Sequence, residues 1–307
     1  MSSADLAFNK WMKLLKLSEV LLNIALIIFC FFLIKTFCDG QTSGFRIEKI
    51  QGSIPDTEEW KIDVLFQNAD LSCLDQPFYF LEKGGQAYAF MSKDKKYVIK
   101  FLKFRKINPS FSLKLLSTFP CFQKQYLKKL LRLRKRIEKE CKSYQIACED
   151  LSKESGLIFA RLQKNYPLNR YVTVVDKIGM ARQVFLDQVV CIVQKKASLI
   201  YPGLSQIIQT EGEKGAQVVI DNLIEFFIQR GKKGILDLDP KINKNLGLVG
   251  SQAMQIDLGR LCRDSNQRNP KIIHQEIKRI ITPLQEWLNI HHPSLAVYLN
   301  QRLPKDC

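Results

Sequence analysis

Histidine is scarce and paired-cysteine motifs are missing. Only His274, His291 and His292 serve the 307-residue chain. The adjacent pair stands directly before Pro293, the place of a helix boundary rather than of zinc ligands. The nine cysteines are odd in number, contain no Cys-x-x-Cys and fall partly at apolar positions. A disulfide framework does not fit them, and buried thiols in a reducing compartment do. No P-loop string and no Gly-x-Ser-x-Gly elbow occur, which sets aside P-loop nucleotidases and α/β-hydrolases. Internal repeats and low-complexity tracts are absent as well. Acid is in short supply: 30 Asp and Glu stand against 47 Lys and Arg, a net charge of +17. Lys93 to Lys142 holds seventeen basic and three acidic residues, so most of the excess is local.

What is present begins with an apolar run. Leu17 to Ile34 is interrupted only by Ser18, Glu19 and Asn23. Eighteen residues at about 1.5 Å each span roughly 27 Å, against a hydrocarbon core of about 30 Å. Residues 17–37 are therefore expected to form one membrane helix behind a basic segment, 1–16. Lys35-Thr36-Phe37-Cys38 lacks a small-x-small cleavage pattern, and Phe37 spoils a lipoprotein reading of Cys38. Lys10, Lys13 and Lys16 before the span balance Lys35, Arg46 and Lys49 after it, so charge does not orient it. Residues 38–75 read as a linker with strand content at Phe45–Ile50 and Trp60–Phe66.

The remainder, with 46% hydrophobic residues in the chain as a whole, is long enough to bury a sizeable core. Phe78–Leu81 and Ala87–Phe90 read as strands around Lys83-Gly84-Gly85, and Asp94 turns the chain into a strand over 96–102. There Lys100 shares a face with Val98 and Leu102, because strand side chains alternate. Residues 122–155 carry apolar residues at helical spacing, Leu127, Leu130, Leu131, Ile137, Cys141, Tyr144, Cys148 and Leu151. Strands are expected over 172–178 and 189–194, then a helix from Ala216 to Gln229 with Val219, Ile220, Leu223, Phe226 and Phe227 on one side. Asp237-Leu238-Asp239-Pro240 leads through Asn243 and Asn245 to a strand, Leu246–Val249, and Ser251 turns it toward Ile256-Asp257-Leu258-Gly259. An Asx-rich turn between helix and hairpin accounts for the same loop residues. Helices are expected from Lys271 to Trp287 and from Pro293.

Taken in order, Gly84-Gly85-Gln86-Ala87-Tyr88-Ala89-Phe90, Val98-Ile99-Lys100, Asp239 to Asn245 and Ile256-Asp257-Leu258-Gly259 resemble the site of protein-kinase-like phosphotransferases over residues 76–290. The chain is also similar to a group of uncharacterised bacterial membrane-anchored proteins that share the Gly-Gly-Gln-Ala-Tyr-Ala-Phe and Asp-x-Asp-Pro segments. The resemblance implies an α+β, kinase-like two-lobed domain. Residues 76–196 would form an N-terminal lobe with a five-stranded antiparallel sheet plus helix, and 197–307 a short helical C-terminal lobe. It implies Gly84 and Gly85 over the phosphates of ATP, Lys100 on its α/β-phosphates, and Asp239 as base. Asn245 and Asp257 would hold magnesium. Glu138, Glu140 and Glu149 are the helix residues that could pair with Lys100, Glu149 preferred, and Gln194-Lys195-Lys196 falls at the hinge. Departures are plain: Glu82 and Ala87 occupy outer glycine positions, and no His-Arg precedes Asp239. Asp239 to Asn245 is one residue long for the family and Asp239 to Asn243 one short. Leu258 replaces Phe.

No Ala-Pro-Glu segment follows Asp257, which points to a small-molecule, sugar or lipid-linked hydroxyl as acceptor. An inactive pseudokinase or scaffold that binds a protein partner is the alternative, and a basic membrane-surface module is a third. ATP use and the cysteines favour a cytosolic globular part on a single-pass anchor in the cell membrane. The basic segment makes anionic headgroups the first partner to consider. Nucleic acid is second, for interleaved aromatics and known binding motifs are missing.

Overall fold

The computed structural model describes residues 3–52, 71–103, 118–162 and 167–303. Helix α1 (Ser3–Gln41) opens the chain. Its stretch Lys16–Gln41 has a mean hydropathy of 2.6, is unburied, and is long and apolar enough to cross a membrane. The expected strand at 45–50 is instead a short 3-10 turn, Ile47–Lys49, with a lone bridge from Gln51 to Val189. Phe45 and Ile50 serve as plugs for the sheet: Phe45 meets Tyr88 and Phe90 edge-on at 5.3 and 4.9 Å between ring centroids. The strand expected at Trp60–Phe66 lies outside the described residues.

A curled sheet follows, built from β1 (Phe78–Lys83), β2 (Ala87–Ser92), β3 (Tyr97–Leu102), β4 (Leu157–Arg161), β5 (Tyr171–Val175), β6 (Ala181–Phe185) and β7 (Cys191–Lys195). Their order is β4-β7-β3-β2-β1-β5-β6. Among the described residues the sheet thus has seven strands rather than the expected five, and β5 runs parallel to β1. Two physical reasons account for the difference. Strand β4 is covered on both faces and so lacks the alternation that marks a half-buried strand. The run read as 172–178 is cut at Asp176, whose Oδ1 accepts from the amides of Ile178 and Met180 at 3.1 and 2.9 Å and folds the chain back into β6. Ile99 and Phe101 of β3 join Phe78, Tyr88, Phe90, Val172, Val174 and Val193 in one core, whereas Leu102 and Ile192 face helix α2 (Pro120–Asp150) on the other side.

The second part of the molecule is mostly helical. Helix α3 (Ile200–Lys232) breaks at Gly212, where φ 72° and ψ −169° suit glycine alone. The helix expected at 216–229 is its second arm. This arm packs Ala216, Val219, Ile220 and Leu223 against α5 (Pro270–His291) and α6 (Pro293–Arg302), through Ile277, Ile280, Leu284, Leu295 and Leu299. Asn269 caps α5 by accepting from the Lys271 amide, with Pro270 in the first turn. Between α3 and α5 lie β9 (Ile235–Asp237), the four-residue α4 (Ile242–Asn245), β10 (Leu246–Val249), β11 (Gln252–Gln255) and β12 (Leu261–Arg263). Strand β10 pairs with β11 and with β8 (Ser198–Leu199), and β9 pairs with β12.

Candidate functional site

Lys100 extends from β3 on the face shared with Val98 and Leu102, and its Nζ donates to the Ile256 carbonyl at 2.7 Å. The Asn245 carbonyl accepts from the Ile256 amide at 2.8 Å and from the Asp257 amide at 3.4 Å. Asn245 Nδ2 in turn donates to the Asp239 carbonyl at 2.6 Å. Five residues from three separate segments are thereby joined by direct hydrogen bonds. The local chain explains how. Helix α4 ends at Asn245, which is buried while Asn243 is exposed. The β10–β11 hairpin turns at Gly250 (φ 58°) and returns Ile256 to Asn245's side. Gly247 allows the close approach, because a Cβ there would stand 2.6 Å from the Ser198 carbonyl. Burial lowers the pKa of Lys100, and the carboxylates of Asp257 and Glu82 act against that.

The turn 257–259 is held from two sides. Asp257 Oδ1 accepts from the Gly259 amide at 3.0 Å. Ser143 of α2 donates to the Leu258 carbonyl and accepts from the Leu261 amide, each at 2.5 Å. From the sheet, the Gln86 carboxamide rests on Gly259, where any Cβ would collide with it. The β1–β2 turn therefore sits directly over Asp257-Leu258-Gly259. Lys103 Nζ lies 4.3 Å from the Tyr88 ring centroid and donates to the Gly84 carbonyl. Gly84 and Gly85 are not among the glycines with positive φ, and a Cβ at Gly85 would meet nothing within 4 Å.

Asp239 is half-buried, with Lys241 Nζ 3.0 Å from Oδ1 and Arg260 Nη1 3.8 Å from Oδ2. Its amide donates to Asp237 Oδ1 at 2.9 Å. Asp237 belongs to a buried network that the sequence reading missed. Arg230 and Asp237, both 3% exposed, stand 3.9 Å apart. Gln255 Nε2 donates to Asp237 Oδ2 at 2.8 Å and to the Asp257 carbonyl at 3.0 Å, while Gln255 Oε1 accepts from Arg230 at 3.1 Å. Gln194 Nε2 donates to the Ser155 and Gln255 carbonyls at 2.8 and 3.2 Å. Burial raises the Asp237 pKa against the opposing pull of the Asp239 amide, Arg230 and Gln255. The usable signal was a polar residue on an apolar face: Arg230 beside Phe226 and Phe227, and Gln255 after Met254.

Two expectations are corrected. Glu149 does not meet Lys100; it accepts from Gln145 at 2.8 Å and pairs with Arg263 at 2.6 Å. Glu138 pairs with Lys142 and Glu140 with Arg136. The buried face of α2 runs through Ser143, Tyr144, Ala147 and Leu151, so serine and tyrosine, not glutamate, reach the site. Burial, then the Asp257 charge, pushes the Tyr144 phenol pKa upward. At the expected hinge, the amides of Lys195 and Lys196 donate to Gly156 and Lys96 carbonyls at 2.8 Å each, and the Gln194 side chain turns inward.

Among the described residues no three His, Cys, Asp or Glu cluster as metal ligands. Asp257 carries a carboxylate and Asn245 an amide oxygen, both hard donors, on residues joined by the Asn245 carbonyl and the Asp257 amide. Donors of this kind are those magnesium takes, with several of its waters kept.

No protein-family model and no curated protein matches the chain. Among solved structures, WbdD, described as a bifunctional kinase-methyltransferase, is 14% identical with a TM-score of 0.36, over 72% of this chain and 43% of that one. A second WbdD structure gives 13% and 0.37, over 74% and 46%. Rv3197 from Mycobacterium tuberculosis, in complex with erythromycin, gives 11% and 0.28, over 81% and 57%. The chain spans less than half the length of the WbdD chains it matches, and these values register a partial likeness only.

Proposed function

We propose that the chain is a membrane-tethered, kinase-like phosphotransferase that uses Mg-ATP on the hydroxyl of a small-molecule, sugar or lipid-linked acceptor. The observation that carries this reading is the hydrogen-bonded run from Lys100 through Ile256 and Asn245 to Asp239. It ties together residues that would supply a cation, two oxygen donors and a carboxylate, the set that phosphoryl transfer needs. Lys100 binds the α/β-phosphates, and the amides around Gly84 and Gly85 cover them. Asp239 takes the acceptor's hydroxyl proton as that oxygen bonds to the γ-phosphorus; the bond to the ADP oxygen breaks and ADP leaves. Lys241 and Arg260 beside Asp239 oppose the charge of the transferring group. Asp257 and Asn245 are the residues that would hold magnesium, which supplies charge neutralisation at the phosphates. Helix α1 is the single anchor, and the globular part lies on the cytosolic side, where Mg-ATP is present.

Two observations favour a binding scaffold of the same shape: Gln86 and Lys103 already occupy the Gly84–Gly259 contact, and no α2 carboxylate reaches Lys100. Calorimetric titration of Mg-ATP into the detergent-solubilised chain separates the readings. Magnesium-dependent binding that weakens at least about tenfold in Lys100→Ala and Asp257→Ala, with melting unchanged, supports the enzyme. Asp239→Asn should then keep nucleotide affinity and lose about 10²–10⁴ in turnover. A folded wild type that ignores Mg-ATP leaves the scaffold.

A further inference from the structure

Helix α2 has two unlike halves. From Cys141 onward its inner side is buried in the core through Cys141, Tyr144, Ala147 and Leu151. Between Pro120 and Glu140 no described side chain is buried. This outer half carries seven basic residues and no acidic one between Pro120 and Ile137. Lys124, Lys128, Arg132, Lys135 and Lys139, spaced three or four apart, fall on one face of the helix and are all exposed. Beside that stripe, Leu127 and Leu131 are 54% and 57% exposed one turn apart, and Phe122 is exposed near the helix start. The apolar periodicity that reads as core in the sequence is therefore open along this half.

We infer that the outer half of α2 lies along the surface of an anionic bilayer, with its basic stripe among the headgroups and Leu127 and Leu131, on one flank of it, at the acyl boundary. This rests on the reading of α1 as a membrane anchor and is independent of phosphoryl transfer. A stripe of lysine and arginine flanked by leucine is the composition of an interfacial helix. Complementarity of charge selects anionic lipid, each basic residue near the surface strengthening binding by about fivefold. The anchor keeps α2 near a bilayer continuously, so weak contacts suffice through high effective concentration. The exposed apolar residues bordering the stripe, Leu127 and Leu131, are leucines, which cannot stack on bases, and this favours lipid over single-stranded nucleic acid.

The test uses the full chain in lipid nanodiscs, with hydrogen exchange followed by mass spectrometry over residues 120–140. Stable recovery in pure phosphatidylcholine discs reports the anchor by itself, and failure there counts against α1 rather than against α2. With phosphatidylserine included, exchange over 120–140 should slow by about tenfold relative to phosphatidylcholine, while peptides from α3 and α5 stay unchanged. Half-molar salt should reverse the effect, since the Debye length shrinks from about 8 Å toward about 4 Å. The triple variant Lys128→Glu, Arg132→Glu, Lys135→Glu should exchange at the same rate in both disc types. Leu127→Ser with Leu131→Ser should retain only part of the protection. Equal exchange of the wild type in both discs would overturn the inference. So would protection that comes only from added single-stranded RNA.

Discussion

Burial sets the behaviour of Lys100 more than any neighbouring charge does. Its folded pKa lies below the ordinary 10.5, so between the two values the unfolded chain binds more protons and stability rises with pH. Nucleotide affinity should move the other way, because only the protonated amine pairs with phosphates. Alkaline titration of the wild type should therefore show Mg-ATP binding falling while the melting temperature rises over the same window, and Lys100→Met should flatten both curves. Parallel movement of the two would refute the assignment. Arg230 is a second decisive residue. Removing it leaves the Asp237 carboxylate buried with Gln255 as its remaining side-chain partner, and Arg230→Met should cost about 3–5 kcal/mol in chemical denaturation. Lys100 was readable because a strand's alternation fixes its face. Glu149 was misread because helical spacing locates a stripe but not which flank of it meets the sheet. The Arg230–Asp237–Gln255 network left only polar letters on apolar faces, and those are ordinary on a surface.

At the scale of elements, α2 is the part that ties the sheet to the Asp257 turn, and Ser143 is its point of contact. Both the Leu258 carbonyl and the Leu261 amide bond to that one hydroxyl in a buried position. Ser143→Ala strands both groups, for a cost of about 1–3 kcal/mol. Exchange at the Leu261 amide should accelerate well before global unfolding, and a variant whose Leu261 amide stays as protected as in the wild type would show that the hydroxyl is dispensable. Gly212 plays a comparable part in α3. Its φ and ψ lie in a region nearly restricted to glycine, so Gly212→Ala should lower stability by about 1–3 kcal/mol although the added methyl meets nothing within 4 Å. Elements with strong periodicity, α5, the second arm of α3 and the β10–β11 hairpin, were legible from sequence to within a few residues. Strand β4 and the β5–β6 turn were not, since one is covered on both faces and the other is made by a single Asp176 side chain.

Among the described residues, three buried clusters divide the work. One fills the sheet's Phe90 side and one the α3–α5–α6 helices, while the third joins them. The joining cluster draws Leu102, Leu157 and Ile192 from the sheet, Tyr144 and Ala147 from α2 with Leu151 from its C-cap, and Ile235, Leu258 and Leu261 from beyond α3. Leu258 sits in the same turn as Asp257, so packing between the two parts and the position of the candidate metal ligand share one short segment. Leu258→Ala should cost about 2–5 kcal/mol, as for other leucines removed from cores. Because the cavity opens where the parts meet, the loss should also appear as broken cooperativity. Calorimetry of the wild type should give one transition for the globular part, and Leu258→Ala two, with Mg-ATP affinity lowered although no phosphate-contacting residue is altered. Leu223→Ala, deep in the helical cluster, is the control: it should lower the melting temperature by a similar amount and leave nucleotide affinity intact. If both variants weaken nucleotide binding equally, the site depends on overall stability and the joining cluster has no separate role in positioning Asp257.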